Sequence, residues 1–157
     1  MPRLHTAALR LALVCALSTA AYAKPNFAGT WKLDTAKSDF GPMPGPSSMT
    51  RVIQHEEPNM QVKTTQVGQR GEFTTELKYT TDGKDSINKT QMGDIKANVN
   101  WDGDILVVKY KMNSPQAGEI DIEDRWQLTG DGKGTTVTSK IKGSFGDVER
   151  KLVFTKE

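Results

Sequence analysis

From Met49 to the end, the chain is a succession of short runs of alternating or β-branched residues, recurring about every ten residues and bounded by turn residues. Such a pattern restricts the fold to an antiparallel β-meander, because βαβ units would need amphipathic helices between the strands, and none of useful length is present. The spacing predicts strands near 29–33, 49–56, 60–67, 72–81, 86–91, 94–101, 104–112, 119–129, 135–142 and 147–155. Asp82-Gly83, Asp102-Gly103 and Asp131-Gly132 supply hairpin turns, since glycine tolerates positive φ and aspartate bonds its own backbone. Pro58-Asn59, Gly68 to Gly71 and Ser114 to Gly118 do the same. Many short antiparallel strands with tight connections close into a barrel or pack as two sheets, because closure removes unpaired edges.

The alternation assigns faces. Ile95, Ala97, Val99 and Trp101 share one side of their strand, opposite Asp94, Lys96, Asn98 and Asn100. Leu106, Val108, Tyr110 and Met112 form the next apolar row, and Phe73, Thr75, Leu77 and Tyr79 another. The opposite face carries charge throughout, which withholds the apolar outer band that a membrane-spanning barrel requires. Residues 34–48, with Pro42, Pro44, Pro46, Gly41 and Gly45, cannot hold a ladder and form a loop or flap across one end.

Residues 1–23 follow the logic of an export signal. Arg3 and Arg10 stand near the front, an apolar stretch runs from Leu11 to Leu17, and Ala21-Tyr22-Ala23 is an A-x-A cleavage pattern. The stretch is shorter than a bilayer span, and Val14 before Cys15 does not suit a lipid-attachment cysteine. The domain proper is then 24–157. Cleavage removes two of the 21 basic residues and none of the 19 acidic ones, so the remainder has zero net charge and no compositional reason to bind nucleic acid. Cleavage also removes the only cysteine and leaves His55 as the one histidine, which excludes disulfides, thiol catalysis and cysteine-based metal sites.

Asn26-Phe27-Ala28-Gly29-Thr30-Trp31-Lys32-Leu33-Asp34, with Lys37-Ser38-Asp39-Phe40-Gly41 and later Trp126-Gln127-Leu128 leading to Asp131-Gly132-Lys133, resembles small exported lipocalin-like proteins of bacteria. The Gly29-Thr30-Trp31 element is similar to the G-x-W that opens barrels of the lipocalin and fatty-acid-binding-protein superfamily. The resemblance implies an all-β, antiparallel up-and-down β-barrel of about 8–10 strands, lipocalin-like, exported to a bacterial periplasm, of Gram-negative type, or beyond the cell. It also implies that Gly29 and Trp31 close one end of the barrel. The chain departs from both better-known families: it ends in a strand where a lipocalin carries a helix, and it has a Pro-rich loop where a fatty-acid-binding protein has two short helices. The type of barrel stays open between them.

Two charges break the face pattern. Arg150 shares a side with Val148, Leu152 and Phe154, and Asp124 with Ile120, Ile122, Trp126 and Leu128. Inward charges are costly unless paired or used. For Arg150 the resemblance offers two roles: a structural cap packed across Trp31, or an anchor for a ligand carboxylate, although Arg150-Lys151-Leu152 lacks the tyrosine of the R-x-Y pattern that performs the latter. Asp124 either pairs with Arg150 or is turned to solvent by a bulge. Trp101, Tyr110, Trp126, Phe73 and Met112 line any cavity, or fill the core if there is none.

For chemistry the sequence offers little. His55, at a strand end, reads as a solvated turn residue, and Glu56 with Glu57 as solubility carboxylates; no nucleophile elbow or phosphate-binding glycine loop is present. No catalytic residue, cofactor or metal site is expected. Two functional readings remain: a non-catalytic exported barrel binding a small hydrophobic or lipid-like molecule, and an envelope interaction module with a solid core. Small or polar inward residues, Ala97, Thr64, Thr75 and Ser139, favour an internal space.

Overall fold

The computed structural model describes residues 23–114 and 118–157. The expected export signal, apart from its last residue, and the middle of the expected turn from Ser114 to Gly118 lie outside the described residues. Ten strands follow one another: β1 (Gly29–Leu33), β2 (Ser48–Glu56), β3 (Asn59–Gly68), β4 (Gly71–Thr80), β5 (Asp85–Thr90), β6 (Gly93–Asp102), β7 (Ile105–Ser114), β8 (Gly118–Leu128), β9 (Gly134–Gly143) and β10 (Gly146–Lys156). Each begins and ends within two residues of the stretch read from the pattern.

The sheet order is β4-β3-β2-β1-β10-β9-β8-β7-β6-β5, every pairing antiparallel. Only β1 departs from simple succession: it lies between the second and last strands, with Trp31 opposite Arg51 on β2 and Lys156 on β10. The result is the expected all-β up-and-down barrel, continuous except between β4 and β5. There the Asn88 side chain stands in for a ladder: its carbonyl accepts from the Lys78 N–H (2.7 Å) and its amide donates to the Lys78 C=O (3.0 Å).

The aspartate–glycine turns form as chemistry requires. Gly83, Gly103 and Gly132 all have positive φ, and Asp131 Oδ1 accepts from the Lys133 N–H at 3.0 Å. On the outer face, opposite charges meet across strands, as in Lys96–Asp85 and Lys111–Asp121. Such exposed pairs add solubility more than stability.

Burial along the strands is graded from one end of the barrel to the other. At the end holding the 57–58, 81–84 and 103–104 turns, the inward residues Trp31, Met60, Val62, Tyr79, Val99, Leu106 and Trp126 are buried. Toward the opposite end, the inward residues Thr64, Gln66, Phe73, Thr75, Leu77, Tyr110, Met112, Ile120 and Ile122 are only half-buried. A side chain that points into a barrel yet meets solvent marks an interior that is not filled.

The 34–47 segment extends the wall as well as covering the end. β1 is only five residues long, so part of β10 lacks a neighbour, and Asp39 pairs with Lys151 through two backbone bonds of 2.7 and 2.8 Å. The Ser38 hydroxyl accepts the Val153 N–H at 2.9 Å. Farther on, the Ser47 N–H donates to the Val67 C=O at 2.8 Å. Gly41 sits at φ 62° with its α-carbon turned to the Glu149 carbonyl, where an added Cβ would lie at 2.6 Å.

Replacing Asn88 with alanine leaves the Lys78 N–H and C=O without their bridge. The expected outcome is a stable fold weakened by about 1–2 kcal/mol, with amide exchange at Lys78 accelerated relative to that of the β7–β8 ladder. Hydrogen exchange read residue by residue checks it.

Candidate ligand cavity and its polar floor

The closed end is organised by one carboxylate. Glu57 Oε1 accepts hydrogen bonds from the Trp101 indole (3.0 Å) and from His55 Nε2 (2.9 Å), and its Oε2 takes the Thr81 hydroxyl. The Phe27 N–H donates to His55 Nδ1 at 3.1 Å, which places the proton of the neutral ring on Nε2, facing Glu57. Phe27 in turn stacks on His55 and Trp101 and meets Trp126 edge-on, while its carbonyl accepts the Trp31 indole N–H at 2.8 Å. His55 is therefore buried and not the solvated turn residue expected from sequence, while Glu57 stays exposed as expected but bonds back onto it. The turn after β2 folds Glu57 back onto the barrel bottom, a reversal that strand alternation does not encode.

Gly29 and Trp31 both lie at this end, but the cation over the Trp31 ring is Lys156, its ammonium 5.3 Å from the centroid. Gly29 makes the crossing possible: an added Cβ would stand 2.5 Å from the Lys156 Cε. Arg150 lies six residues earlier on β10, about 20 Å along the strand at ordinary rise. The structural-cap geometry expected for Arg150 is thus taken by Lys156.

The opposite end is open. A cavity of about 590 Å³ is bounded by Phe40, Met43 and Pro44 of the flap, by the β3–β4 turn around Arg70, and by Phe73, with Met49, Leu152 and Arg150 at its base. Phe40 is held over the opening by the close approach of Gly45, where a Cβ would collide with the ring at 2.5 Å. A second depression, about 620 Å³, lies beside the β4–β5 seam, lined by Tyr79, Met60 and Ser86 with Gln54, Glu56 and Lys78 at its rim. It is the more open and more polar of the two, so the mouth cavity is the better space for an apolar molecule.

Between the open half and the aromatic core lies a layer of inward polar groups, with Asp124, Ser139 and Arg51 buried and Arg150 half-buried. Asp124 on β8, Ser139 on β9 and Arg150 on β10 are register partners in one row, and Arg150 Nε donates to Ser139 Oγ at 3.2 Å. The β8–β9 ladder runs through Asp124 without a bulge, so the alternative in which it turns to solvent does not occur: the carboxylate is buried. Facing this row are Tyr79, Tyr110 and Arg51. Arg51 escaped the sequence reading although it stands in phase with Met49, Ile53 and His55, all inward. Its guanidinium lies between Trp126 (4.8 Å) and Phe154 (4.7 Å), which replaces lost hydration with cation–π contact.

Electrostatics follow from this burial. Desolvation pushes the Tyr79 and Tyr110 hydroxyls well above the ordinary phenol range, so both are neutral, and burial pushes the Arg150 guanidinium downward while Asp124 opposes that shift. No ion pair joins Asp124 to either arginine among the described residues, and Asp124 Oδ1 and Arg51 Nε and Nη1 have no hydrogen-bond partner.

Of the residues proposed as cavity lining, Phe73 and Arg150 border the mouth cavity, and Tyr110 and Met112 stand half-buried in the open half. Trp126 lies below them, beneath Arg51, and Trp101 belongs to the closed end. No group of three or more potential metal ligands occurs among the described residues.

No family model and no curated protein sequence matches the chain. Solved structures do. A secretory abundant heat soluble protein from Ramazzottius varieornatus aligns with a TM-score of 0.65 at 16% identity, over 86% of this chain and 97% of its own. The fold is a calycin-type β-barrel. A fatty acid transporter designated REP1-NXSQ matches with a TM-score of 0.60 at 18% identity, over 83% and 95% of the two chains. The zebrafish ileal bile-acid-binding protein in complex with cholic acid gives 0.57 at 17%, over 83% and 98%. The second and third of these are a transport and a binding protein by designation, and at such identities the likeness concerns fold.

Burial disfavours ionisation of Glu57, but the hydrogen bonds from Thr81, His55 and Trp101 outweigh it and hold its pKa below the usual 4.5. A carboxylate depressed in the folded state contributes stability above its unfolded pKa and loses that contribution as pH falls through the folded one. The melting temperature is therefore expected to fall as the pH drops below 4.5, and part of that slope disappears in Glu57→Gln. Thermal melts of the two proteins between neutral and acid pH test this; parallel curves would show that Glu57 is not linked.

Proposed function

We propose that this protein is an exported, non-catalytic carrier of a small amphipathic molecule, whose apolar body occupies the open half of the barrel and whose acidic head meets Arg150 and Arg51. The observation that carries the reading is the charge of the polar floor: two inward guanidiniums, Arg51 buried and Arg150 half-buried, against a single buried carboxylate. One positive charge is left over, and a buried uncompensated charge costs several kcal/mol or calls for a partner. A monoanion arriving through the mouth supplies it. The flap residues Phe40, Met43 and Pro44 offer apolar contact on the way.

Two similar folds are designated for fatty acid and for cholic acid, both apolar bodies with a carboxylate, which supports the same class here. Export rests on the sequence of residues 1–23, with the bacterial periplasm as the compartment its pattern suits.

Native mass spectrometry of the protein purified without detergent, followed by organic extraction, tests carriage directly. The expected result is a discrete, extractable adduct or, in delipidated protein, saturable binding of dodecanoate. In Arg150→Met, dodecanoate affinity is expected to fall by about tenfold or more, the worth of a charge-assisted hydrogen bond, with the melting temperature nearly unchanged. Loss of the fold in that variant, or unaltered affinity, would remove Arg150 from the site.

A further inference from the structure

The polar floor holds more than a positive charge. Oδ1 of Asp124, Nε and Nη1 of Arg51 and the Trp126 indole N–H are all buried without a hydrogen-bond partner, while the Tyr79 and Tyr110 hydroxyls meet each other. The residues of the unpartnered groups are 3%, 8% and 1% exposed, so bulk water does not satisfy them. Buried unpartnered groups of this kind carry an unrecovered desolvation cost, and several kept together call for something that completes them.

The set has a specific chemistry. Arg51 and Trp126 contribute donors, and a carboxylate head meets donors well. Asp124 Oδ1 is an acceptor only, and a bare carboxylate placed near it brings repulsion and no proton. Strand geometry keeps the two demands close: Asp124 and Arg150 are separated by Ser139 alone, two strand spacings or about 10 Å between α-carbons. Ser139 Oγ already accepts from Arg150, so the row runs donor, bridge, acceptor across β10, β9 and β8.

We infer that the site takes a hydroxy acid: a monoanion with an apolar tail, whose carboxylate faces the guanidiniums and whose neighbouring hydroxyl donates to Asp124. The charge also closes, since one carboxylate neutralises the surplus positive charge and a neutral hydroxyl adds none. This inference rests on the proposed reading of the barrel as a carrier of acidic amphipaths and adds to it the second polar group of the head. A site built to bond a hydroxyl discriminates strongly against an analogue lacking it, because its own buried group is then left unpaired.

The test compares dodecanoate, 2-hydroxydodecanoate and 2-methoxydodecanoate by calorimetric titration of the delipidated protein. The hydroxy acid is expected to bind tighter than dodecanoate by about tenfold or more, and the methoxy acid, which keeps the oxygen but cannot donate, to lose that advantage. In Asp124→Leu, or in Asp124→Ala if the leucine variant does not fold, the hydroxy and plain acids are expected to bind within about twofold of each other. Dodecanoate itself binds no more weakly there, because the site has become more positive. Equal binding of hydroxy and plain acids by the unaltered protein overturns the inference and leaves the carrier reading standing; binding of none of the three overturns the carrier reading itself. A hydroxyl preference that survives in the methoxy acid or in the Asp124 variants also overturns it.

Discussion

Everything in this molecule depends on a mismatch between the girth of a ten-stranded barrel and the side chains available to fill it. Closing ten strands encloses more space than a row of ordinary core residues occupies. The sequence answers by concentrating bulk at one end. Phe27, Trp31, Trp126 and Phe154 are among its largest fully buried side chains, and they sit together beside Leu106 and Leu152. At the other end the inward positions include Thr64, Gln66 and Thr75, and even Phe73, Met112 and Ile120 beside them are only half-buried. A solid core below and an open space above follow from the same strands.

The polar floor lies where those two regimes meet, and its position explains how it is tolerated. Arg51 lies between two aromatic faces, Arg150 holds Ser139, and the tyrosines stay neutral, so the packing beneath does not need to accommodate loose charge. Placed one turn of alternation lower, the same groups would meet only the aromatic plug. Placed higher, they would be hydrated and would lose the strength that low dielectric gives them.

The strands were legible because period-two alternation and aspartate–glycine turns are local features, and the inward phase of Asp124 and Arg150 followed from them. Arg51 carried the same signal in Met49, Ile53 and His55, yet a single arginine in a short run reads as an outer-face residue until its neighbours are phased. The Glu57 network was not legible: it assembles residues from the β2–β3 turn, the β4–β5 turn, β6 and the N-terminal segment, and no sequence spacing encodes that meeting. Nor could the flap's role in the wall be read, since it arises from the shortness of β1 relative to β10.

The Asn88 bridge gives the barrel an unequal circumference. Every other seam is a ladder of backbone bonds that must break cooperatively, whereas β4 and β5 are joined through one carboxamide that can release both of its contacts by a single side-chain rotation. The molecule is mechanically a split ring with a clasp. Widening is therefore confined to that one place, and the aromatic base and the charged floor keep their geometry when the clasp opens.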